Sequence, residues 1–358
     1  MIYLLLSSLS EQVPIFNVFR YITFRALMAA MLALMIAFVF GPVLLRVLRA
    51  GQVGQPVSEF APQSHAIKQG TPTMGGVLIL ASLLLAVLAF ADLTNPYVLL
   101  TSGVLVGYGL VGAYDDYQKV TVGKNAGLSA RVKLAWQFGI ALAAISLLYG
   151  FVGYDTTLSV PFFKNLRPDL GWFYVPFATC VVVGTSNAVN LTDGLDGLAI
   201  GPVMTTAATC GILAYVAGHS RLASYLFVTP VPGAGELAIV CAAMATASLG
   251  FLWFNTYPAQ MFMGDVGALA LGGGLGMIAV IAKTELLLVI AGGVFVVEAL
   301  SVMIQLGSIK LRGKRVFRMA PIHHHFELAG WPEPLIIVRF WIISVLCALV
   351  ALATLRLR

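Results

Sequence analysis

The sequence predicts an all-α polytopic membrane protein with about ten transmembrane helices, and three observations carry that reading. Hydrophobic residues make up 59% of the 358 residues, charged residues only 10%, and the mean hydropathy is +0.94; no water-soluble core of that length is built this way. The apolar residues gather in runs of about 20, the length needed to cross some 30 Å of hydrocarbon. The basic residues gather in alternate connections between those runs, which is the orientation signal of a bacterial inner (cytoplasmic) membrane protein. A net charge of +6 and a pI of 9.2 therefore do not call for nucleic acid. The whole chain, 1–358, reads as one integral membrane domain.

The runs fall at roughly 22–46, 73–92, 96–118, 131–150, 172–189, 197–217, 236–256, 265–282, 285–308 and 335–355. The connections after the first, third and ninth carry Arg46, Arg49, Lys68, Lys119, Lys124, Arg131, Lys133, Lys310, Arg312, Lys314, Arg315 and Arg318. The opposite connections carry only Lys164, Arg167, Arg221 and Lys283 as scattered basic residues. The positive-inside rule then places 47–72, 118–131, 188–197, 256–265 and 309–334 in the cytoplasm and both termini in the periplasm. Short or bland external connections, Asp92 to Pro96, an aromatic 151–171 segment, 218–235 and a Lys283–Glu285 turn, leave the cytoplasmic face as the working face. The four cysteines lie inside apolar runs without metal-ligand spacing and read as packing residues. The first residues lack a basic segment, so no secretory signal is expected.

Each cytoplasmic connection contains or borders a polar cluster. Lys68 to Gly76 is a Gly- and Pro-rich turn whose backbone amides and lysine suit a phosphate, although it lacks the P-loop pattern; a plain tight turn serves equally well. Asp115 and Asp116 end the third run beside Lys119; two acids at the negative end of a helix dipole call for a nearby cation. Lysine at 119 rules out a DDxxD diphosphate motif. In Asn190-Leu-Thr-Asp193-Gly-Leu-Asp196, two acids three apart with glycines form a ligand-clasping loop; an Asx turn capping the next helix would leave one aspartate unexplained. Asp265 is a metal or phosphate candidate or simply the N-cap of the eighth helix, and Phe262 either a packing anchor or a platform for a base. His323, His324 and His325 are adjacent, so they cannot all reach one metal; imidazoles facing phosphates are the reading preferred. Gly272 to Gly276 lies within a helix and serves close packing, not dinucleotide binding. Glu298, placed mid-helix, either lines a cavity or bonds a neighbouring helix.

The segments GTPTMGG, DDYQK, NAVNLTDGLDG, FNTYPAQMFMGDVG and APIHHHFELAGWPEP resemble the signature segments of the MraY family, the phospho-N-acetylmuramoyl-pentapeptide-transferases, and the resemblance runs over essentially the whole chain. It implies attack of undecaprenyl phosphate, a membrane lipid, on UDP-MurNAc-pentapeptide with Mg²⁺, giving lipid I and UMP, by a protein that forms a homodimer. It implies Asp265 as magnesium ligand and Asp115 and Asp116 as an essential pair, with His323 and His324 catalytic. Around the substrates it implies Lys68, Thr73, Lys119, Lys133, Asn190, Asp193, Gly194, Leu195, Asp196, Asn255, Phe262, Gln305 and His325, with Phe262 stacking and Asp196 accepting a uracil N–H. A relative using another UDP-N-acetylhexosamine is the alternative. An intramembrane prenyltransferase would want wider acid spacing, and a transporter would want broken helices and midplane charges.

Overall fold

The computed structural model describes residues 3, 6, 12–51, 70–122, 127–152, 154–163 and 166–356. Lys68 and Lys124 lie outside the described residues. The long helices are α1 (Ile22–Ala50), α2 (Gly76–Phe90), α3 (Pro96–Val122), α4 (Ala130–Val152), α5 (Tyr174–Thr192) and α6 (Ile200–Gly218). A short α7 (Ser220–Leu226) precedes α8 (Leu237–Asn255) and α9 (Gly264–Ile281). The chain finishes with α10 (Glu285–Ala291), α11 (Gly293–Arg312), a short α12 (Ile322–Leu328) and α13 (Glu333–Ala353). Among the described residues there is no strand; Thr157 and Asp169 form an isolated bridge. Among the described residues nine helices are long and apolar enough to span a membrane, and α2, at 15 residues, is a shorter tenth.

The helix α9 is the axis of the bundle, buried along almost its whole length and packed against α2, α3, α5 and α6. Its glycines make that possible. A Cβ on Gly272 would lie 2.6 Å from the Cα of Ser186, and one on Gly276 would lie 2.8 Å from the Cα of Val182. The two backbones approach as only small residues allow, and Ser186 Oγ donates to the Leu269 carbonyl at 2.9 Å. The same device joins α1 to α8: Ala29, Ala33, Ala37 and Gly41 form the buried stripe of α1, and a Cβ on Gly250 would sit 2.4 Å from that of Ala37.

Two boundaries differ from the sequence expectation. The run at 285–308 is two helices, α10 and α11, divided at Gly292 and Gly293. The two glycines weaken the helix there, and the halves pack differently, α10 mainly on α13 and α11 mainly on α5. The run expected from residue 73 becomes helical only at Gly76. Residues 72–76 are instead zipped to the chain before α9: the Phe262 amide donates to the Pro72 carbonyl, Gly75 to Phe262 and Gly76 to Met263, each at 2.8 Å. Those amides are committed to protein carbonyls, so the phosphate cradle expected of this turn is not formed by Gly75 and Gly76.

Buried charge at one end of the bundle works as structural ties. Arg25 on α1 donates to Glu236 and to the Phe90 carbonyl, at 2.8 and 3.2 Å, and Glu236 also accepts from the Asp92 amide at 3.0 Å. Lys283 donates to the Asp155 and Thr157 carbonyls and lies over the rings of Tyr154 and Tyr174. The other end of the bundle holds the acids.

Candidate active site

The end of α3, the start of α4 and the start of α9 meet at the acidic end. Asp115, Asp116 and Asp265 are all buried, and one carboxylate oxygen from each lies within 4.8 Å of the others. Lys119 Nζ sits 2.7 Å from Asp115 Oδ2 and 2.7 Å from Asp265 Oδ2. Lys133 Nζ, reaching in from α4, is also 2.7 Å from Asp265 Oδ2 and 3.5 Å from Asp115 Oδ2. Three carboxylates and two ammonium groups leave a formal deficit of positive charge. Oxygen donors at this spacing suit a hard divalent cation.

The local structure explains how adjacent acids come to be tolerated. The helix α3 runs on to Val122, beyond the expected end at 118, so the pair faces inward from its last two turns. Asp115 Oδ1 accepts the Leu128 amide at 2.6 Å, and Asp116 Oδ2 accepts the Val266 amide at 3.3 Å. Asp116 thereby caps α9, the task the sequence offered to Asp265. Asp265 is the second residue of α9, and its side chain is directed to the two lysines. Gly264 has φ of +72°, and a Cβ there would lie 2.4 Å from Asp116 Oδ2 and 2.9 Å from Thr73 Oγ1. Only glycine lets the chain turn into α9 beneath the acid pair, and this contact also brings the buried Thr73 into the site.

The turn between α5 and α6 borders this cluster. Asp193 is pushed up to about 8, first by burial and then by the charges of Asp265, Asp116 and Asp196. Asp196 is not the cap of α6, which begins at Ile200. One of its oxygens instead accepts the Ala259 amide at 3.0 Å, and its own amide donates to Glu333 at 3.0 Å. The loop 256–263 is closed from within by Asn255, whose Nδ2 donates to the Met261 carbonyl at 2.9 Å. Asn255 Oδ1 is buried with no hydrogen-bond partner among the described residues. Met261 and Met263 are fully buried while Phe262 between them is half-exposed, and Asn190 is likewise half-buried. Leu195 is buried against Ile336 and Phe340 of α13.

The three histidines, all on α12, have three different surroundings, as their adjacency required. His323 is fully buried with Nδ1 3.1 Å from Glu298 Oε1. His324 Nδ1 lies 2.6 Å from Glu327 Oε2, and His325 Nδ1 accepts the Arg318 amide at 3.1 Å. Gln305 does not face the acid cluster through a free amide. Its Oε1 accepts from Val316 and Phe317 at 3.0 and 2.9 Å, and its Nε2 donates to the Phe317 carbonyl at 3.0 Å. That clamp folds residues 313–318 back along α11 and brings α12 to the level of Glu298. Glu298 thus meets His323 of α12, whose ring in turn abuts Gly194 of the 193–196 turn. The roles of Gly264, Leu128, Glu327 and Glu333 were not read from the sequence, although all but Leu128 stand inside the segments quoted above; an Asp preceded by glycine at a helix start was the one available signal, for Gly264.

Comparison with known proteins fits this geometry. Residues 98–283, which include Asp115, Asp116, the 193–196 turn and Asp265, match the family model described as glycosyl transferase family 4. Residues 68–80 match phospho-N-acetylmuramoyl-pentapeptide-transferase signature 1. The chain is 57% identical over 358 residues to the phospho-N-acetylmuramoyl-pentapeptide-transferase of Pelobacter propionicus, with 100% of both chains covered. It is 56% identical to the protein of that name from Citrifermentans bemidjiense and 54% identical to that from Syntrophus aciditrophicus, again over 100% of each chain.

Proposed function

The chain belongs to the phospho-N-acetylmuramoyl-pentapeptide-transferase family, and from that premise we propose that it transfers phospho-MurNAc-pentapeptide from UDP-MurNAc-pentapeptide to undecaprenyl phosphate, forming lipid I and UMP, with Mg²⁺ at the Asp115–Asp116–Asp265 cluster. The observation that carries the site assignment is the convergence of Lys119 and Lys133 on one oxygen of Asp265, beside the Asp115–Asp116 pair. Both reactants are anions, and phosphoryl transfer is catalysed mainly by positioning and by offsetting charge. Asp115, Asp116 and Asp265 would hold the ion, which would supply positive charge against the repulsion of the two phosphates.

The residues divide the remaining work. Asp265 is the principal metal ligand, its orientation set by α9. Lys119 and Lys133 hold the anionic substrate oxygens. Asp115 and Asp116, fixed by the Leu128 and Val266 amides, place the lipid phosphate. Asn190, Asp193, Gly194, Leu195, Asp196, Asn255 and Phe262 frame the uridine, with the half-exposed Phe262 ring as the stacking surface and the unpartnered Asn255 Oδ1 as an acceptor. Thr73, His324 and His325 border the phosphates, the buried His323 backs the 193–196 turn, Gln305 holds the histidine loop in place, and Lys68, outside the described residues, is assigned to the substrate by the family resemblance.

The site faces the cytoplasm of a bacterial inner membrane and both termini are periplasmic, which the basic residues Lys119, Arg131, Lys133, Lys310, Arg312, Lys314, Arg315 and Arg318 at the acidic end support. The protein acts as a homodimer. Release of UMP from UDP-MurNAc-pentapeptide in the presence of undecaprenyl phosphate and Mg²⁺ tests the reaction. No release, or release only from another UDP-N-acetylhexosamine, would refute the substrate assignment, and persistence of full activity in a chelator would refute the metal.

A further inference from the structure

Glu298 has no part in the chemistry proposed above, yet it is fully buried on α11. Its neighbour is His323 of α12, also fully buried, with Nδ1 3.1 Å from Glu298 Oε1. Neither Glu298 oxygen and neither His323 nitrogen has an aligned hydrogen bond among the described residues. Two such groups are costly to bury apart and are retained together only if each answers the other. A proton on Nδ1 makes the 3.1 Å approach to Oε1 attractive even without an aligned hydrogen bond. The opposite tautomer would set a nitrogen lone pair against carboxylate oxygen.

The far edge of the same ring meets the acidic turn. A Cβ on Gly194 would lie 2.3 Å from His323 Nε2 and 2.9 Å from Cε1, so the imidazole fills the space a side chain at 194 would need. Gly194 stands between Asp193 and Asp196. A line of contact therefore runs from the carboxylate on α11, through one imidazole, to the backbone of the turn.

We propose that Glu298 is a positioning residue that fixes His323 as the Nδ1–H tautomer, and that His323 in turn holds the 193–196 turn in the form that takes the uridine nucleotide. The inference rests on the assignment of that turn to the nucleotide. Glu298 then acts on nucleotide affinity before the lipid acceptor, because the His323 ring abuts the backbone of the turn at Gly194. Outer partners of this kind change affinity by roughly 10- to 100-fold when removed.

The experiment uses the full-length protein labelled with ¹⁵N-histidine, the His323 resonances being assigned by their loss in His323→Asn. In the unsubstituted protein Nδ1 is protonated and Nε2 is not; in Glu298→Gln, whose amide can donate as well as accept, the signals move toward a tautomer mixture. Affinity for UDP-MurNAc-pentapeptide, measured calorimetrically without lipid acceptor, falls about tenfold or more in Glu298→Gln. The KM for that substrate rises while the KM for undecaprenyl phosphate holds. In a His323→Asn background the Glu298 substitution causes no further loss. Unchanged His323 resonances, additive losses in the double variant, or equal rises in both KM values would overturn the proposal. Should Glu298→Gln fail to fold, Glu298→Asp keeps the charge but withdraws it by one methylene, and normal nucleotide affinity in that variant is equally fatal. If the unsubstituted protein binds no UDP-MurNAc-pentapeptide, the assignment of the turn falls and the effect on affinity falls with it, whereas the tautomer readout still decides the Glu298–His323 contact.

Discussion

Replacing Asp265 with asparagine isolates charge from shape at the centre of the site. Asparagine is nearly isosteric and keeps one carbonyl acceptor, so Lys119 and Lys133, each 2.7 Å from Asp265 Oδ2, can still find a partner there. What they lose is the charge assistance, which makes such bonds roughly twice as strong as neutral ones. At about 1.5 kcal/mol lost from each of two bonds, the site gives up about 3 kcal/mol of the energy that holds the two lysines in place. Loss of a metal ligand adds to that, so the expected fall in turnover is roughly 10²–10⁴-fold, the span seen when a chemical group is deleted. The fold should survive, because α9 is capped by Asp116 and the glycines that let it pack meet its neighbours without using the charge at 265. The assay is UMP release at increasing Mg²⁺, with thermal unfolding in detergent as the control and Mn²⁺ binding followed by electron paramagnetic resonance as the direct readout. Turnover near that of the unsubstituted protein at saturating Mg²⁺, with unchanged Mn²⁺ binding, would refute the role assigned to Asp265.

Three other outcomes are expected. The activity defect of Asp115→Asn or Asp116→Asn should stay constant from about pH 6 to 9; rescue at high pH, where the lipid phosphate has lost its proton unaided, would show the pair acting as a base. Asp193 is raised from 3.8 to about 8, so in that interval the folded metal-free protein binds more protons at this site than the unfolded chain, and stability is lost as pH rises through it. Asp193→Asn should therefore gain thermal stability over the unsubstituted protein as pH climbs from about 4 to about 8, with no further gain above, and the gap should narrow on adding Mg²⁺; a gap that is flat with pH would contradict this. Reporters fused after residue 315 and after Arg358 should lie in the cytoplasm and periplasm respectively, and the same compartment for both would remove the ten-crossing topology.

The spanning runs and the gathering of acids at one end were legible because both follow from length and charge alone, quantities a linear sequence displays. The histidines' divergence was legible from adjacency. The break at Gly292 was not, since two glycines in an apolar run also read as close packing, and only the different partners of α10 and α11 separate the cases. The exchange of roles between Asp116 and Asp265 was hidden because a cap is normally sought on the helix's own chain; here it arrives from α3, 150 residues away. The setting of Glu298 was hidden by the fold-back that Gln305 imposes on residues 313–318. A residue counted into mid-membrane by its place in a run stands beside the site once that run is seen to be two helices.

The same contacts bear on whether the Asp115–Asp116 pair removes a proton. A general base needs a free lone pair directed at the proton it takes. Asp115 spends one oxygen on the Leu128 amide and the other on Lys119, with Lys133 close by. Asp116 gives one oxygen to the Val266 amide, and Lys119 stands 3.8 Å from the other. Each of these partners occupies a carboxylate oxygen that a base would have to aim at the proton. A phosphate monoester, with a second pKa near 6, is largely a dianion at neutral pH and offers little proton to remove. Strong holding of the pair and weak demand for a base argue together that the two aspartates hold lysines and cation in register for an incoming phosphate. Their loss would then misplace charge at every pH, which is why the defect is expected to be flat.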